Sequence, residues 1–264
     1  MNYDEVILDH YKSVAASDGK FSTSTMKDEH IRKAETDVIE NFLNESIKGK
    51  DHRGITIADI GCGNGYTLSK VSEKFPGQTF VGYEYTPELY ELARERFVGV
   101  DNVSVYKGDI RECFDKTNGY DICYTQRVLI NLLDKNDQCN AIGNIVDAAR
   151  AGADLLFVES FQFGLDELNS ARKEFMLDPI ESAHHNLLLD QEFFDWLKQK
   201  NLSINDTVKN NFLSSYYYVA RVLHPHLLGD IKFTRNSHFV KFLSSLINEN
   251  FGQYSPVQAY AFRK

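Results

Sequence analysis

IADIGCGNGYTLSKV, residues 57–71, decides how the rest of the chain folds. An apolar run ends in Gly61, Gly63 and Gly65, and a helix-like stretch follows from Tyr66. Glycines lack Cβ atoms, so the backbone can turn sharply there and a ligand can lie against it. A strand, a tight turn and a helix N-terminus also bring backbone N–H groups to one point. Dinucleotide sites use the spacing G-x-G-x-x-G. Here it is G-C-G-N-G, with Asp59 just ahead of it. A turn that holds no ligand is the plain alternative.

Outward from that turn, strand and helix patterns alternate. Ile55–Ile60 is a short apolar strand and Tyr66–Phe75 a helix. Thr79–Glu84 is a strand, followed by a helix over Pro87–Phe97 with proline in its first turn. Val103–Lys107 and Tyr120–Thr125 are strands, Asp134–Arg150 is a helix, and Asp154–Glu159 is the fifth strand. Alternation of this kind predicts βαβ units and a parallel sheet. The strands are almost continuously apolar, as expected when both faces are covered.

The flanks differ. Tyr3–Val14 predicts one helix. Asp28–Lys48 predicts another, with Ile31, Ala34, Val38, Ile39, Phe42 and Leu43 at helical period. The polar break DGKFSTSTM separates them, and KDHRG makes a turn after the second. Towards the C-terminus, Leu189–Lys200, Ser214–Leu223 and Phe239–Asn250 are helical, and Thr207–Phe212 is a candidate sixth strand. Pro256–Phe262 closes the chain as a strand. It is expected to be antiparallel, because a short hop cannot make a parallel crossover. The expected organisation is a helical cap over 1–50 and one α/β domain over 51–264, with 213–250 a helical lid or insert.

Two further strand ends converge on the glycine turn. Glu84 closes the second strand about 20 residues after the glycines, where an acid accepts from both hydroxyls of a ribose. The third strand runs into YKGDI, which places Asp109 to accept from an adenine amino group and Ile110 to line the ring. Either acid alone could be an ordinary loop carboxylate. Three matching features at three successive strand ends mark the sheet edge at which open α/β folds bind ligands.

Composition narrows the classes. The chain has 264 residues, 42% of them hydrophobic, enough for a substantial core. Lys and Arg number 29 against 38 Asp and Glu, a net charge of −9, which argues against broad nucleic-acid or anionic-membrane binding. Cys62, Cys113, Cys123 and Cys139 form no C-x-x-C pair and fit reduced thiols in a cytoplasmic protein. MNYDEVILDHYK carries early acids and no apolar signal-peptide core, and no run of 18 apolar residues exists.

ADIGCGNG, VGYEYTPE, KGDI and the block YDICYTQRVLINLLDKNDQCNAIGNI together resemble the class I S-adenosylmethionine-dependent methyltransferases. The resemblance implies a Rossmann-like, seven-stranded, mostly parallel sheet with an antiparallel last strand. It implies that Gly61, Gly63 and Gly65 shape the turn around the methionine part, that Glu84 holds the ribose, and that Asp109 and Ile110 hold the adenine. Asp59 and Tyr85 fall in the same motifs, and Gln126 and Arg127 are implied to lie beside the sulfonium. TQRVLINL, HHNLLLDQEFF and SSYYYVARVLHP resemble, more narrowly, a group of bacterial small-molecule methyltransferases, some serving surface-polysaccharide biosynthesis. Members often carry Lys-Pro-Gly-Gly before the fifth strand, whereas this chain has ARAGADLLF.

Methyl transfer chiefly requires an acceptor atom aligned about 3 Å from the methyl, with water excluded. A hydroxyl acceptor also calls for a base; an ionised phosphate or carboxylate does not. His185 or His184 is the first candidate base, because imidazole titrates near working pH; both can equally serve the start of the helix near Leu188. Tyr217 and Arg221 share a helical face and, with Arg127, could clamp an anionic acceptor. They also read as core aromatic and surface arginine. From the N-terminal helices, Tyr11, Met26 and Arg32 are candidates to reach the cofactor, Met26 over the adenine region and Arg32 to the carboxylate. His224 and His226 flank Pro225 like a turn, and no metal-ligand spacing is present.

The function expected is therefore methylation of a small, anionic metabolite, down to a surface-glycan sugar or its phosphate-bearing modification, with S-adenosylhomocysteine as second product. A nicotinamide-dependent oxidoreductase would need glycine where Tyr66 stands. A non-catalytic S-adenosylmethionine-binding protein stays open, as does a homodimer through the helical insert. An RNA methyltransferase is disfavoured by the acidic balance.

Overall fold

The apolar run before the glycines is the central strand, β1 (Thr56–Ile60), of a seven-stranded sheet. It pairs in parallel with β2 (Thr79–Glu84) on one side and β4 (Tyr120–Gln126) on the other. β3 (Val103–Lys107) continues the sheet beyond β2, and β5 (Ala149–Ser160) beyond β4, again in parallel. β7 (Val257–Arg263) runs antiparallel to β5, and the short β6 (Ser203–Asn205) pairs antiparallel to β7. The order is β3-β2-β1-β4-β5-β7-β6, a mostly parallel sheet whose last strand is antiparallel, as expected, although it follows a long helical connection from β6 rather than a short hop. This computed structural model describes residues 3–19, 21, 26–48, 50, 54–112, 119–229, 236–247 and 249–264.

Helices cover both faces. One face carries α2 (Glu29–Lys48) and α3 (Tyr66–Lys74), which bury Ile39, Phe42, Leu43, Leu68 and Val71 with Leu156 and Val158 of β5. The other carries α5 (Lys135–Ala148) and α7 (Gln191–Gln199), which bury Ile142, Ile145, Phe193 and Leu197 with Leu155 and Phe157. Alternate residues of β5 thus serve opposite cores, which is why the strand has no polar face. Each such fully buried side chain stabilises the fold by roughly 1.5–3 kcal/mol relative to exposure. α4 (Pro87–Arg96) follows β2, and α1 (Tyr3–Asp18) lies beside it. Asp4 of α1 pairs with Arg111 at 2.8 Å, and Asn64 donates to the Gly19 carbonyl at 2.9 Å, so the N-terminal segment is tied to the strand ends.

Several elements depart from the expected pattern. The sixth strand is Ser203–Asn205, not 207–212, because the Asn205 side chain accepts from the Thr207 N–H at 3.2 Å and turns the chain. β5 begins at Ala149 rather than Asp154. α6 (Gln162–Glu174) was not legible, since FQF continues the aromatic strand pattern directly into the helix. Gly164 sits where a Cβ would lie 2.2 Å from the Ser255 carbonyl oxygen, so the helix can approach the β7 entry only with glycine there.

The predicted helix at 214–223 continues to 228 as α8 (Ser214–Tyr218), a π-turn over Val219–Leu223 and α9 (His224–Leu228). Pro225 has no N–H for the Arg221 carbonyl, and Arg172 of α6 donates to that carbonyl instead. α10 (His238–Leu246) ends before Asn250. Cys62 and Cys123 are buried and Cys139 half-buried, all as free thiols. Cys113, and parts of the two expected N-terminal breaks (residues 20, 22–25 and 51–53), lie outside the described residues. Among the described residues no helix is long and apolar enough to cross a membrane.

Candidate active site

All three glycines of the turn are left-handed, with φ of 76° at Gly61, 58° at Gly63 and 73° at Gly65. The Gly61 and Cys62 N–H groups donate to the Tyr83 carbonyl at 2.8 and 2.9 Å, which pins the turn to the end of β2. A Cβ at Gly61 would lie 2.4 Å from Val128, so the turn also fits against the loop after β4. Glu84 is buried, and its two carboxylate oxygens accept from the Gly63 N–H at 2.9 Å and the Thr86 N–H at 2.8 Å. The carboxylate lines the cleft, and the Thr86 hydroxyl and Tyr85 N–H add to the donors around it. Burial raises the Glu84 pKa, while these N–H groups pull it down.

At the third strand end, Ile110 is buried against the cleft and its carbonyl accepts from Asn144 at 3.0 Å. Asp109 lines the cleft too, but its carboxylate is taken up by Arg111, at 3.0 Å from Nε and 2.5 Å from a terminal nitrogen. Arg111 also lies over the Tyr85 ring, 5.4 Å from its centroid. The expected free acceptor for an adenine amino group is thus a paired one. At the opposite end, Arg32 of α2 and Asp59 of β1 place buried opposite charges on one cleft wall. Burial pushes Asp59 up to about 7 and Arg32 down to about 10.

The loop after β4 is built on two buried acids. Glu35 of α2 accepts from Gln126 at 2.6 Å and pairs with Arg127 at 3.0 Å, while Gln126 accepts from Thr67 at 2.8 Å. Arg127 holds φ at 55°, unusual outside glycine, with its carbonyl taken by Asn131 at 3.0 Å. Glu159, near the end of the fifth strand, holds this loop from beneath. Its Oε1 accepts from Thr125 at 2.7 Å and from the Val128 N–H at 3.0 Å. Burial pushes its pKa up to about 7.

These parts enclose a cleft of about 1010 Å³, open mouth included, which gathers Tyr11, Arg32, Asp59, Gly61, Gly63, Glu84, Tyr85, Asp109, Ile110, Gln126 and Arg127. Gly65 stands behind it, where a Cβ would meet Phe97 at 2.8 Å. A second cavity of about 900 Å³ shares Tyr11, Arg127 and Asn131 with the first. His185 and Tyr217 line it, and so does Met26, which sits here rather than over the expected adenine region. His184 is exposed and lines neither cavity, meeting His185 edge-on. Arg221 also lines neither. It pairs with buried Asp28 at 2.9 Å and lies over Tyr217, so the expected Tyr217–Arg221 clamp does not face a ligand.

Sequence reasoning missed Glu35, His10 and Lys27. Glu35 had a readable signal: it falls on the apolar stripe of α2, four residues from both Ile31 and Ile39, and is fully buried. His10 stacks on His185 across the second cavity with ring centroids 3.8 Å apart, and no local pattern announces that contact.

Sheet order, glycine cradle and acidic strand ends define a Rossmann-like methyltransferase fold. The chain belongs to the methyltransferase-domain family, whose model matches residues 51–211. A malonyl-[acyl-carrier protein] O-methyltransferase of Priestia megaterium is 35% identical over 72 residues, 27% of this chain and 23% of the relative's length. Magnesium protoporphyrin IX methyltransferase of Synechocystis PCC 6803, solved with S-adenosylmethionine bound, superposes with a TM-score of 0.60 at 11% identity, over 100% of this chain and 98% of that one. The N-methyltransferase NodS of Bradyrhizobium japonicum, in complex with S-adenosylhomocysteine, gives 0.57 at 14% identity, over 97% and 98%. At these identities the two structures share its fold.

Proposed function

We propose that this chain is an S-adenosylmethionine-dependent methyltransferase acting on a small-molecule acceptor held in the second cavity. One observation carries the reading: a cleft lined by the glycine turn and Glu84 and a second cavity meet at Tyr11, Arg127 and Asn131. The residues present fit the cofactor. Gly61 leaves a cradle that a Cβ would fill, Glu84 turns a carboxylate towards the cleft for a ribose diol, and Arg32 with Asp59 matches the carboxylate and ammonium of an amino acid. Ile110 and Tyr85 border the adenine end, where the Asp109–Arg111 pair offers both an acceptor and a donor edge.

When bound, the cofactor supplies a methyl group already activated on a sulfonium. The chain's own part is alignment and exclusion of water. Glu35 fixes Gln126 and Arg127 between the two cavities, and Glu159 fixes the backbone that follows them. Residues 1–50 serve as a cap: α1 and α2 bring Tyr11 and Arg32 to the cleft. The segment 213–250 serves as a lid or insert that walls the second cavity through Tyr217.

The acceptor is anionic in this reading. Among its described lining residues the second cavity has Lys27 and Arg127 but no carboxylate. Within that class we favour a surface-glycan sugar or its phosphate-bearing modification, since Ser160, Asn131, Asn186 and Tyr217 offer neutral hydrogen-bonding groups to a hydroxylated ring. A nicotinamide-dependent dehydrogenase is disfavoured by family membership and by Tyr66 in place of a third spaced glycine.

Calorimetry with S-adenosylhomocysteine and NADH tests the reading. Wild type is expected to bind the thioether and not NADH. Glu84→Ala, checked for folding by circular dichroism, should bind about tenfold or more weakly, since hydrogen bonds to a charged group contribute about 1.5–3 kcal/mol. Undiminished affinity in the variant would refute the ribose placement; binding of NADH alone would refute methyl transfer.

A further inference from the structure

His185 lies between α6 and α7 and lines the second cavity. Its ring stacks on His10 of α1, with centroids 3.8 Å apart and planes 21° apart, and His184 meets it edge-on at 5.1 Å. Its Nδ1 is enclosed and has no hydrogen-bond partner among the described residues. Nε2 is therefore the nitrogen through which the ring can meet a ligand.

In a neutral imidazole one nitrogen carries the proton and the other is bare. Which one is protonated follows from the hydrogen bond each can make. Nδ1 goes unpaired in either tautomer; as an N–H it would be an orphan buried donor, at a cost of about 1–3 kcal/mol, whereas a bare ring nitrogen is the better tolerated orphan. A proton on Nε2 can be given to water or to a ligand oxygen. The imidazolium is worse than either neutral form. It would carry the same orphan donor, face His10 ring to ring with His184 at its edge, and share the cavity with Lys27 and Arg127. Tyr11 and Tyr217 are the remaining titratable groups lining the cavity; no described carboxylate lines it, and Glu35, paired with Arg127 from beneath, offsets that guanidinium but leaves Lys27 and the two imidazoles without a facing acid. Consistent with this, burial, His10 and His184 together hold the His185 pKa down to about 4. Burial and His184 also lower that of His10.

We propose that His185 is a hydrogen-bond donor to the methyl acceptor rather than a base, its Nε2–H acting with Lys27 and Arg127 to recognise an ionised carboxylate or phosphate oxygen, and that His10 is the residue that positions it. This rests on the proposed function and narrows its substrate class. No carboxylate lines the cavity among the described residues, and its stacked imidazoles bind a proton more weakly than usual, so the acceptor atom arrives already ionised. A carbon–oxygen bond to the methyl forms as the carbon–sulfur bond breaks, the electron pair goes to sulfur, and no proton is moved.

The test is long-range ¹H–¹⁵N correlation on histidine-labelled protein, alone and loaded with S-adenosylhomocysteine. His185 is expected as the neutral Nε2–H tautomer from about pH 5 to 8. Acetate or inorganic phosphate should shift its Nε2–H resonance, the more potent of the two naming the acceptor's anion. Methylammonium and methyl glucoside should not. His185→Gln, which keeps an N–H at similar reach, should hold the better anion nearly as well as wild type. His185→Leu should lose roughly three- to tenfold. An Nδ1–H tautomer, titration near the ordinary 6.5, shifts with neither anion, or wild-type anion affinity in the leucine variant each overturns the donor assignment. If S-adenosylhomocysteine itself fails to bind in calorimetry, the methyltransferase reading falls separately, while the tautomer of the unloaded protein still decides the chemistry of His185.

Discussion

Replacing Asp59 with asparagine probes the charged end of the cleft most directly. Asp59 ends up buried on β1, and burial lifts its carboxyl to about 7 from an ordinary 3.8, with Glu84 pushing the same way and Tyr124 and Arg32 opposing. That gap corresponds to on the order of 4 kcal/mol between the two protonation states. Because the folded value lies above the unfolded one, the contribution to stability is full below about pH 3.8 and is lost as pH rises through about 7. A bound α-ammonium reverses the preference and holds Asp59 ionised. Cofactor binding below about pH 7 must then expel the proton that Asp59 carries, and affinity should fall about tenfold per pH unit there. Above about pH 8 the affinity should level off.

Calorimetric titration of S-adenosylhomocysteine, in two buffers of different ionisation enthalpy, reads both affinity and proton release. Asp59→Asn should bind roughly 10- to 100-fold more weakly at about pH 8, the worth of a hydrogen bond to a charged group. Its affinity should lose most of the pH slope, so the two curves converge towards about pH 6. Glu84 is present in both proteins, so the difference between them reports Asp59 together with its coupling to Glu84. Wild-type binding without proton release near neutrality, or an asparagine variant with the full slope, refutes the assignment.

Gly61→Ala should destabilise the fold by about 2–4 kcal/mol in denaturant melts, because it adds a Cβ 2.4 Å from Val128 at a φ of 76°. Val128→Ala in the same chain should recover the steric part, and strictly additive losses in the double-mutant cycle would count against the contact. Glu159→Gln should flatten the decline in melting temperature between about pH 4.5 and 7. The wild-type carboxyl, pushed up to about 7, contributes stability that is fully present below its unfolded value of 4.5 and lost as pH rises through 7. Identical melting profiles for the two proteins would show that Glu159 does not titrate in that window.

The cofactor wall was legible because its parts are local in sequence. Strand, left-handed glycine turn and helix N-terminus at residues 57–71 form one βα unit, and Glu84 and Ile110 follow at the next strand ends in register. The acceptor side was legible only in its residue types. His185 and Tyr217 do face one cavity, yet Arg221, on the same helical run as Tyr217, turns to Asp28, a contact spanning nearly the whole chain. Asp109 lines the first cleft and Met26 the second cavity, each beside other neighbours than expected. Asp109 is claimed by Arg111 two residues on, and Met26 sits beyond the Tyr11–Arg127 boundary.

Hydrophobic period and the glycine turn, both readable along the chain, determined the mostly parallel sheet and the strand ends at which the cleft opens. Where the chemistry is tuned, only the tertiary structure decided: Glu35 reaching under Gln126 and Arg127 from 91 residues away, and His10 covering His185. The physical reason is that backbone geometry depends on neighbours in sequence, whereas the charge state and orientation of a side chain depend on whatever packing brings against it, and burial makes those distant partners dominate.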